Sequence, residues 1–546
     1  MQHTPCSNPK INVSAEQVII KPEENGRGRF FRAAGVIGAA TVASRILGLA
    51  REIAFAGIFG ANWVTDAFRI AYVIPYLLRR LLGEGAMSAF FVPVFTEQLE
   101  REGRDGALRF TQTLYTLFLA CVLIVVLLGV LAMPAVVAVI APGFVRQAVT
   151  FDLTASLARI MLPYMLFMMT SALAMGILNS FYRFAVPACA PIVMNVFALA
   201  SLFILVPLFG ETPQEQIYAL TVGVLAGGAA QVLIQVPSLY KVGFRFRPRF
   251  DFRHPAIKKV GILMVPALFS IGVVRINLLI STAAASFVGV GVVSFIMYAE
   301  RLLQFPMGVF GFSLANALLP RISRHAARGE IETFKDLLSF ALRASLFISL
   351  PATAGLIVLG GPLVRVIYER GAFTAADTAA TSVVLGAFAV GLFAFVGMQI
   401  VTPAFYALKL PKEPIRGGVV ALVSNVIFTV ILALLFGGPG IALAISISTA
   451  FTLAYLLHRL RRAVGPIGFR RIAVAALRFG GASVLLAALL VAARVALERY
   501  VPAATLPQAG ALLAIVAAAV PAYVLLARLF GAPEVKEVIN IVLRRK

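Results

Sequence analysis

Residues 33–58 read AAGVIGAATVASRILGLAREIAFAGI. An apolar run of this length is long enough for a helix to cross the roughly 30 Å of hydrocarbon in a bilayer. Arg45 and Arg51 lie within the run, although a charge at the bilayer centre costs roughly 3 kcal/mol on insertion scales. The run therefore predicts a membrane-spanning helix whose arginines face a polar interior rather than lipid.

Similar apolar runs recur along the chain as far as Phe530, and the 546 residues are 60% hydrophobic and only 13% charged. A soluble protein is about 25% charged, and an outer-membrane barrel has short alternating segments instead of long apolar ones. The pattern predicts an all-α polytopic membrane protein. It contains fourteen candidate spans: 33–58, 65–97, 110–133, 156–180, 187–209, 216–240, 257–288, 290–318, 334–360, 377–408, 414–436, 440–460, 472–497 and 508–530.

The basic residues indicate the orientation of these spans. Alternate connections, together with both ends of the chain, hold roughly 33 lysines and arginines, and the remaining connections hold about four. Because positive loops stay in the cytoplasm, we expect both termini to be cytoplasmic. The same rule and attraction to anionic membrane lipids account for the net charge of +24, so nucleic-acid binding is not required.

Landmarks repeat at a separation of about 227 residues, which is typical of a duplicated bundle. Pro93 corresponds to Pro320, Pro187 corresponds to Pro414, and residues 142–144 are echoed by residues 371–373. The chain is therefore predicted to form two duplicated six-helix lobes plus two C-terminal helices. The expected domains are a polar cytoplasmic tail (1–32), an N-lobe (33–240), a C-lobe (257–460), spans 13 and 14 with a groove for a lipid tail (472–530), and a cytoplasmic tail (531–546).

Charged residues inside the predicted spans concentrate near one depth. At about 1.5 Å per helical residue, most of them lie near mid-bilayer, whereas Asp66 and Arg69 lie closer to the outer end. The arginines outnumber the carboxylates, which predicts a cavity for an anionic cargo, and the planar fork of arginine suits phosphate oxygens. The arginines are Arg45, Arg51, Arg69, Arg79, Arg80, Arg275 and Arg301, and the carboxylates are Glu52, Asp66, Glu84 and Glu300.

A structural role for some of these charges is the alternative. On a helical wheel Arg45 and Glu52 share a face, whereas Arg51 points about 120° away, which leaves it free to pair with Asp66 or Glu84. Buried ion pairs of this kind can fix helix packing without binding cargo. Arg301 next to Glu300 is a second such pair. Arg80 is long enough to reach the membrane surface. Arg69 is predicted to be an interface or gating residue.

Few residues have the chemistry of a catalytic or metal site. The four histidines fall in the tail or in predicted cytoplasmic loops, and the three cysteines are scattered. We therefore expect no enzyme activity, no catalytic residues, no bound metal and no cofactor. Coupling to a monovalent cation or to the membrane potential is left open, and spans 7 and 11 offer only uncharged oxygen ligands, namely Asn277, Ser424, Asn425 and Thr429.

Several motifs occur in the order found in a known family. They are SRILGLARE (44–52), TDAF (65–68), LLRR (77–80), GEGA (83–86), FVP (91–93), APGF (141–144) and YAERL (298–302). With these motifs the chain resembles the MurJ (MviN) family of lipid II flippases over about residues 33–530. The resemblance implies the multidrug/oligosaccharidyl-lipid/polysaccharide exporter fold, and translocation of undecaprenyl-diphosphate-linked disaccharide pentapeptide by alternating access for cell wall biosynthesis.

The resemblance also implies roles for individual residues. It implies a place in the bacterial inner membrane, essential central arginines at Arg45, Arg51, Arg79 and Arg301, an outer gate-side acid at Asp66 and an acidic partner at Glu300. Together with the positions of the charges, this gives the candidate substrate-binding residues Arg45, Arg79, Arg301, Arg51 and Arg275, and the candidate gate or ion-pair residues Asp66, Glu52, Glu84, Glu300 and Arg80. Arg69 and Arg275 are additions relative to the family pattern. Lipid II and membrane lipids are the expected partners, cell-wall synthesis machinery is a further one, and the expected functional unit is a monomer.

Two other classes of protein compete with this function: exporters of the same fold with another cargo, and membrane enzymes. An exporter of another polyprenyl-diphosphate-linked glycan shares this fold and remains the alternative function. A cation-drug exporter requires an acidic cavity, whereas this one is basic. A membrane glycosyltransferase or phosphatase requires paired carboxylates or histidine at a reaction centre, and Asp66 is the only candidate on the outer side.

Overall fold

The computed structural model describes residues 25–79, 91–251, 257–258, 260–262, 277, 279–308, 312–502 and 505–531. Within these ranges the chain is helical and contains no strand. The described residues of the first half form nine helices: α1 Asn25–Phe59, α2 Trp63–Arg79, α3 Val92–Leu131, α4 Met133–Ile140, α5 Ala148–Met161, α6 Tyr164–Ser180, α7 Ala185–Ala200, α8 Pro213–Leu233 and α9 Val236–Lys241. Those of the second half form nine more: α10 Leu279–Val288, α11 Val292–Pro306, α12 Phe312–Ala327, α13 Ile331–Tyr368, α14 Ala375–Val390, α15 Leu392–Ala407, α16 Lys412–Val464, α17 Phe469–Tyr500 and α18 Thr505–Leu529.

The chain is a multi-pass membrane protein. Eight helical stretches in the described ranges are long and apolar enough to cross a membrane, and a ninth appears when α14 and α15, bent by 44°, are counted together. One of the eight is α16, whose 53 residues cover two predicted spans. The number fourteen stays a prediction.

Glycines mark the breaks within the two longest helices. In α16 the backbone leaves the helical region at Gly437, with φ of 61°, and Pro439 follows. In α3 it does so at Gly103, with φ of 69°. A positive φ is readily adopted by glycine and rarely by other residues. The break at Gly437 therefore separates spans 11 and 12 where the sequence predicts it.

The helices pack into two bundles that follow the two halves of the chain. In the first half, α1 packs on α7, α2 on α5, α3 on α6, and both α6 and α7 on α8. In the second half, α13 packs on α14 and α17, α11 on α14, α12 on α15, and α14 and α15 on α16. Helix α18 packs on α17 and α13, so the last two helices lie against the second bundle.

Two hydrogen bonds from backbone amides join the halves on the side that is predicted to be extracellular. The amide of Ala372 donates to the carbonyl of Gly57 at 2.8 Å, and the amide of Gly143 donates to Oγ of Ser286 at 2.9 Å. A Cβ on Gly143 would lie 2.2 Å from the carbonyl oxygen of Ser286, so the close approach requires glycine there.

These two contacts are reciprocal. Gly57 and Ser286 are 229 positions apart, and so are Gly143 and Ala372. The loop after α4 in the first half thus contacts the end of α10, while the loop after α13 in the second half contacts the equivalent end of α1. This reciprocity supports the duplication predicted from the sequence.

Candidate functional site

Two helix faces oppose each other across the space between the halves. On α1 the residues Arg45, Gly48, Glu52 and Phe55 follow a spacing of three or four, and we call this face the α1 stripe. On α11 the α11 stripe is formed by Ser294, Tyr298 and Arg301 and continues to Gly308. Residues with this spacing lie on one side of a helix. Because the chain runs in opposite directions along the two helices, the end of one stripe meets the beginning of the other.

Glu52 is the centre of an ion cluster near the middle of the α1 stripe. Its Oε1 lies 2.9 Å from Nη2 of Arg51, and its Oε2 lies 2.8 Å from Nη2 of Arg69 on α2. The side chains of Glu52 and Arg69 are only 11% and 12% exposed. Removing one partner of such a buried pair typically costs about 3–5 kcal/mol, so the cluster fixes α2 against α1.

Arg69 connects this ion cluster with the second half of the chain. Its guanidinium carbon lies 4.7 Å from the ring centre of Phe55 and 4.7 Å from the ring centre of Tyr298. Tyr298 is fully buried and packs on Tyr368 and Phe373, with ring centres 4.9 and 5.4 Å away. The arginine of one half thus lies on an aromatic cluster of the other half, in a cation–π arrangement.

Asp66 holds the first turn of α11. Its Oδ2 accepts a hydrogen bond from the amide of Gly291 at 2.6 Å. Its Oδ1 accepts bonds from the amide and the hydroxyl of Ser294, at 2.9 and 2.7 Å. A carboxylate is stabilised at a helix N-terminus by the free amides and the helix dipole. The hydroxyl of Tyr298 also donates to the carbonyl of Gly60 at 3.1 Å. We call Gly60, Asp66, Gly291, Ser294 and Tyr298 the outer gate.

Two arginines lie further toward the predicted cytoplasmic side. Nη2 of Arg301 reaches α1, and a Cβ on Gly48 would lie 3.2 Å from it. Nη1 of Arg45 approaches Gly308, and a Cβ on Gly308 would lie 3.2 Å from it. Arg45 is exposed and Arg301 is part-exposed. The stripes are therefore closed at the outer gate and accessible at the arginines.

The structure brings together six of the residues selected from the sequence: Arg45, Arg51, Glu52, Asp66, Arg69 and Arg301. Glu300 is part-exposed and accepts a hydrogen bond from Gln304 at 3.3 Å. Arg79 ends α2, and its side chain lies outside the described residues. Arg80, Glu84 and Arg275 also lie outside them.

The pairing of Arg51 with Asp66 is wrong, and its pairing with Glu84 stays a prediction because Glu84 lies outside the described residues. Arg51 binds its neighbour Glu52, whereas Asp66 binds the start of α11. Neighbouring residues leave a helix in different directions, but long side chains bend far enough to meet. Arg69 was placed at an interface or gate, and the structure shows that it also pairs with Glu52. No sequence signal shows this pairing, because it depends on how α2 packs beside α1.

The uncharged oxygen ligands predicted in spans 7 and 11 also meet. Nδ2 of Asn425 lies 3.4 Å from Oδ1 of Asn277 and 3.5 Å from Oγ of Ser281, and Thr429 donates to Asn425 at 3.2 Å. Ser424 instead bonds Ser448 at 2.6 Å. Among the described residues, no group of three or more histidine, cysteine or acidic side chains could hold a metal ion.

An apolar groove of about 370 Å³ lies between the two parts of α16. It is lined by Val419, Val420, Val423, Ser424, Ile427, Phe428 and Phe451. This groove is not on α17 and α18, where the sequence predicts one for a lipid tail. The predicted groove therefore stays a prediction.

The two helical bundles and the charged residues where they meet define a polytopic membrane protein with transporter architecture. A solved structure described as the inward-facing conformation of a multidrug resistance MATE family transporter of the MOP superfamily has this fold. It matches with a TM-score of 0.60 at 14% identity, over 77% of this chain and 94% of that one.

Family membership follows from closer relatives. The profile of the family described as lipid II flippase MurJ matches residues 55–509, and the chain belongs to that family. A probable lipid II flippase MurJ of Vibrio cholerae is 36% identical over 79% of this chain and 82% of its own length. The lipid II flippase MurJ of Burkholderia cenocepacia is 33% identical over 79% and 84%. A solved lipid II flippase MurJ in an inward closed conformation matches with a TM-score of 0.74 at 27% identity, over 92% of this chain and 99% of that one.

Proposed function

We propose that this protein moves lipid II from the cytoplasmic to the outer leaflet of the bacterial inner membrane. The observation that carries the proposal is the arrangement of the two stripes. They are closed by hydrogen bonds at the outer gate and carry arginines on the accessible side. Family membership makes lipid II the favoured cargo over another polyprenyl-diphosphate-linked glycan.

The charges of the site suit a diphosphate. Arg45, Arg51, Arg69 and Arg301 contribute four positive charges, whereas Glu52, Asp66 and Glu300 contribute three negative ones. Asp66 is already occupied by the backbone of α11. The guanidiniums of the four arginines are planar and permanently charged, and a guanidinium can donate two parallel hydrogen bonds to phosphate oxygens.

Translocation then proceeds by alternating access and requires no covalent step. The head group enters between the stripes from the cytoplasmic side while the outer gate is closed. Opening of the gate separates Asp66 from Ser294 and Tyr298 from Gly60, and it exposes the head group to the outside. The prenyl tail remains in lipid, and α17 and α18 are the surface that we propose for it.

The remaining features are also proposals. Both termini lie in the cytoplasm, which agrees with the basic connections. The protein acts as a monomer beside the cell-wall synthesis machinery. Transport is driven in one direction by a monovalent cation bound at Asn277 and Asn425 or by the membrane potential. The potential contributes about 2.3 kcal/mol for each charge moved across 100 mV.

The test is rescue of a flippase-depleted bacterial strain. We expect Arg45→Ala, Arg79→Ala and Arg301→Ala each to fail to restore growth and lipid II export at normal protein levels. Arg328→Ala is the control, because Arg328 is 63% exposed and lies outside the site. Normal growth and export in all three variants would disprove the proposal.

A further inference from the structure

Arg69 occupies a position at which cargo binding and gating can influence each other. Its guanidinium bonds Glu52 at 2.8 Å within the first half and lies on the ring of Tyr298 from the second half. Its Nε is buried and has no hydrogen-bond partner among the described residues. The position of this side chain thus depends on both halves of the chain.

Two guanidiniums share the single carboxylate of Glu52. Arg51 bonds one oxygen and Arg69 bonds the other, so each oxygen serves a different arginine. Within a part-buried cluster such charges interact strongly, because water screens them less than at the surface. As long as Arg69 stays in place, Glu52 neutralises Arg51 only in part, and Arg51 keeps positive charge for an anion.

This balance changes when the halves separate at the outer gate. Tyr298 moves with α11, so Arg69 loses one of its two aromatic faces and gains water. Water screens its attraction to Glu52. Glu52 is then left to Arg51, whose affinity for a phosphate decreases.

We propose that Arg69 is a positioning residue that keeps Glu52 from neutralising Arg51 while the outer gate is closed. The site then binds a diphosphate tightly on the cytoplasmic side and weakly once it opens to the outside. This inference rests on the proposed function, because it assigns a gate-dependent affinity to the same arginines.

The experiment measures binding of farnesyl diphosphate to the purified full-length protein in detergent. Arg69→Gln should weaken binding about tenfold, within the range typical of coupling between sites, whereas Arg69→Lys should retain most of the affinity. The decisive variant combines Arg69→Gln with Glu52→Gln. Without the carboxylate nothing neutralises Arg51, so the double variant should bind at least as tightly as the unchanged protein.

Arg328→Gln is the matched control for the loss of one positive charge and should bind normally. Tyr298→Leu is the second variant if Arg69→Gln does not fold, and it should also weaken binding, because it exposes Arg69 to water. Unchanged binding in Arg69→Gln overturns the proposal. Binding by the double variant that is as weak as in Arg69→Gln also overturns it, since Arg69 would then have a structural role only.

Failure of the proposed function gives a different result. Lipid II transfer by the unchanged protein in proteoliposomes is measured separately from farnesyl diphosphate binding. Absence of transfer, together with the expected pattern of binding, would reject the proposed function and leave the role of Arg69 intact. Absence of farnesyl diphosphate binding by the unchanged protein would reject the role of Arg69.

Discussion

Asp66 on α2 receives two hydrogen bonds from Ser294 on α11, one from the amide at 2.9 Å and one from the hydroxyl at 2.7 Å. Both residues are buried, and they belong to different halves of the chain. The contact therefore exists only while the halves are close together at this end. It makes the closed state of the outer gate depend on one carboxylate.

Asp66→Asn should shift the gate toward the open state. The amide keeps the size of the side chain but loses the charge that favours a helix N-terminus, an effect of up to about 2 kcal/mol in part-buried geometry. The open population should rise by up to roughly thirtyfold. The measurement is labelling of a cysteine at Ala61→Cys by an impermeant maleimide added outside, with Cys6→Ala, Cys121→Ala and Cys189→Ala as background.

Asp152→Asn is the control for this experiment, because Asp152 is exposed on α5. The labelling rate of the Asp152→Asn variant should equal that of the protein in which Asp66 is unchanged. A labelling rate in Asp66→Asn no higher than in the control would show that Asp66 does not hold the gate closed.

Gly143→Ala should also favour the open state, by a steric mechanism. The added Cβ would lie 2.2 Å from the backbone oxygen of Ser286, and overpacking of this kind typically costs about 1–3 kcal/mol. The same cysteine labelling checks this. Gly386→Ala is the matched control, since a Cβ on Gly386 meets no atom within 4 Å; equal labelling of the two variants would contradict the prediction.

Two substitutions of Tyr298 should distinguish the contribution of its hydroxyl to gate closure from that of its ring. Tyr298→Phe loses only the hydrogen bond to Gly60, worth about 1 kcal/mol. Tyr298→Leu also loses the cation–π contact with Arg69, worth about 2 kcal/mol when desolvated. We therefore expect slower gate labelling in Tyr298→Phe than in Tyr298→Leu, and the reverse order would argue against the ring contact.

Thr374→Ala tests helix stability away from the site. Thr374 forms a capping box with Asp377 at the start of α14, and loss of an N-cap typically costs about 1 kcal/mol. Thermal unfolding in detergent should show this decrease, while lipid II transfer by the folded protein stays normal. Transfer that is lost at full folding would indicate a role of this helix start beyond stability.

The sequence predicts the fold well where hydropathy and helix-breaking glycine and proline residues act locally. The apolar run of residues 33–58 lies within α1, and glycine with proline at residues 437–439 separates two spans as expected. The start of α1 at Asn25 is earlier than residue 33, because hydropathy marks the part of a helix in the membrane and not its first turn.

The site is predicted less completely, because its pairings depend on tertiary structure. Depth along a helix selects Arg45 and Arg301 for one layer, and the structure places both between α1 and the α11 stripe. Depth could not show that Glu52 is shared by Arg51 and Arg69, since that requires α2 to pack beside α1 and long side chains to bend. Nor could it show that Tyr298 covers Arg69, since a tyrosine on an apolar helix has no distinctive sequence signal.

Transfer of fluorescent lipid II across the membrane of proteoliposomes that contain the purified protein tests the diphosphate site most directly. We expect transfer with the unchanged protein and with Arg328→Ala, and at least a tenfold slower rate when Arg45→Ala and Arg301→Ala are combined, since each charged hydrogen bond to a phosphate contributes about 1.5–3 kcal/mol. Transfer by the double variant at the unchanged rate would contradict a diphosphate site between the two stripes.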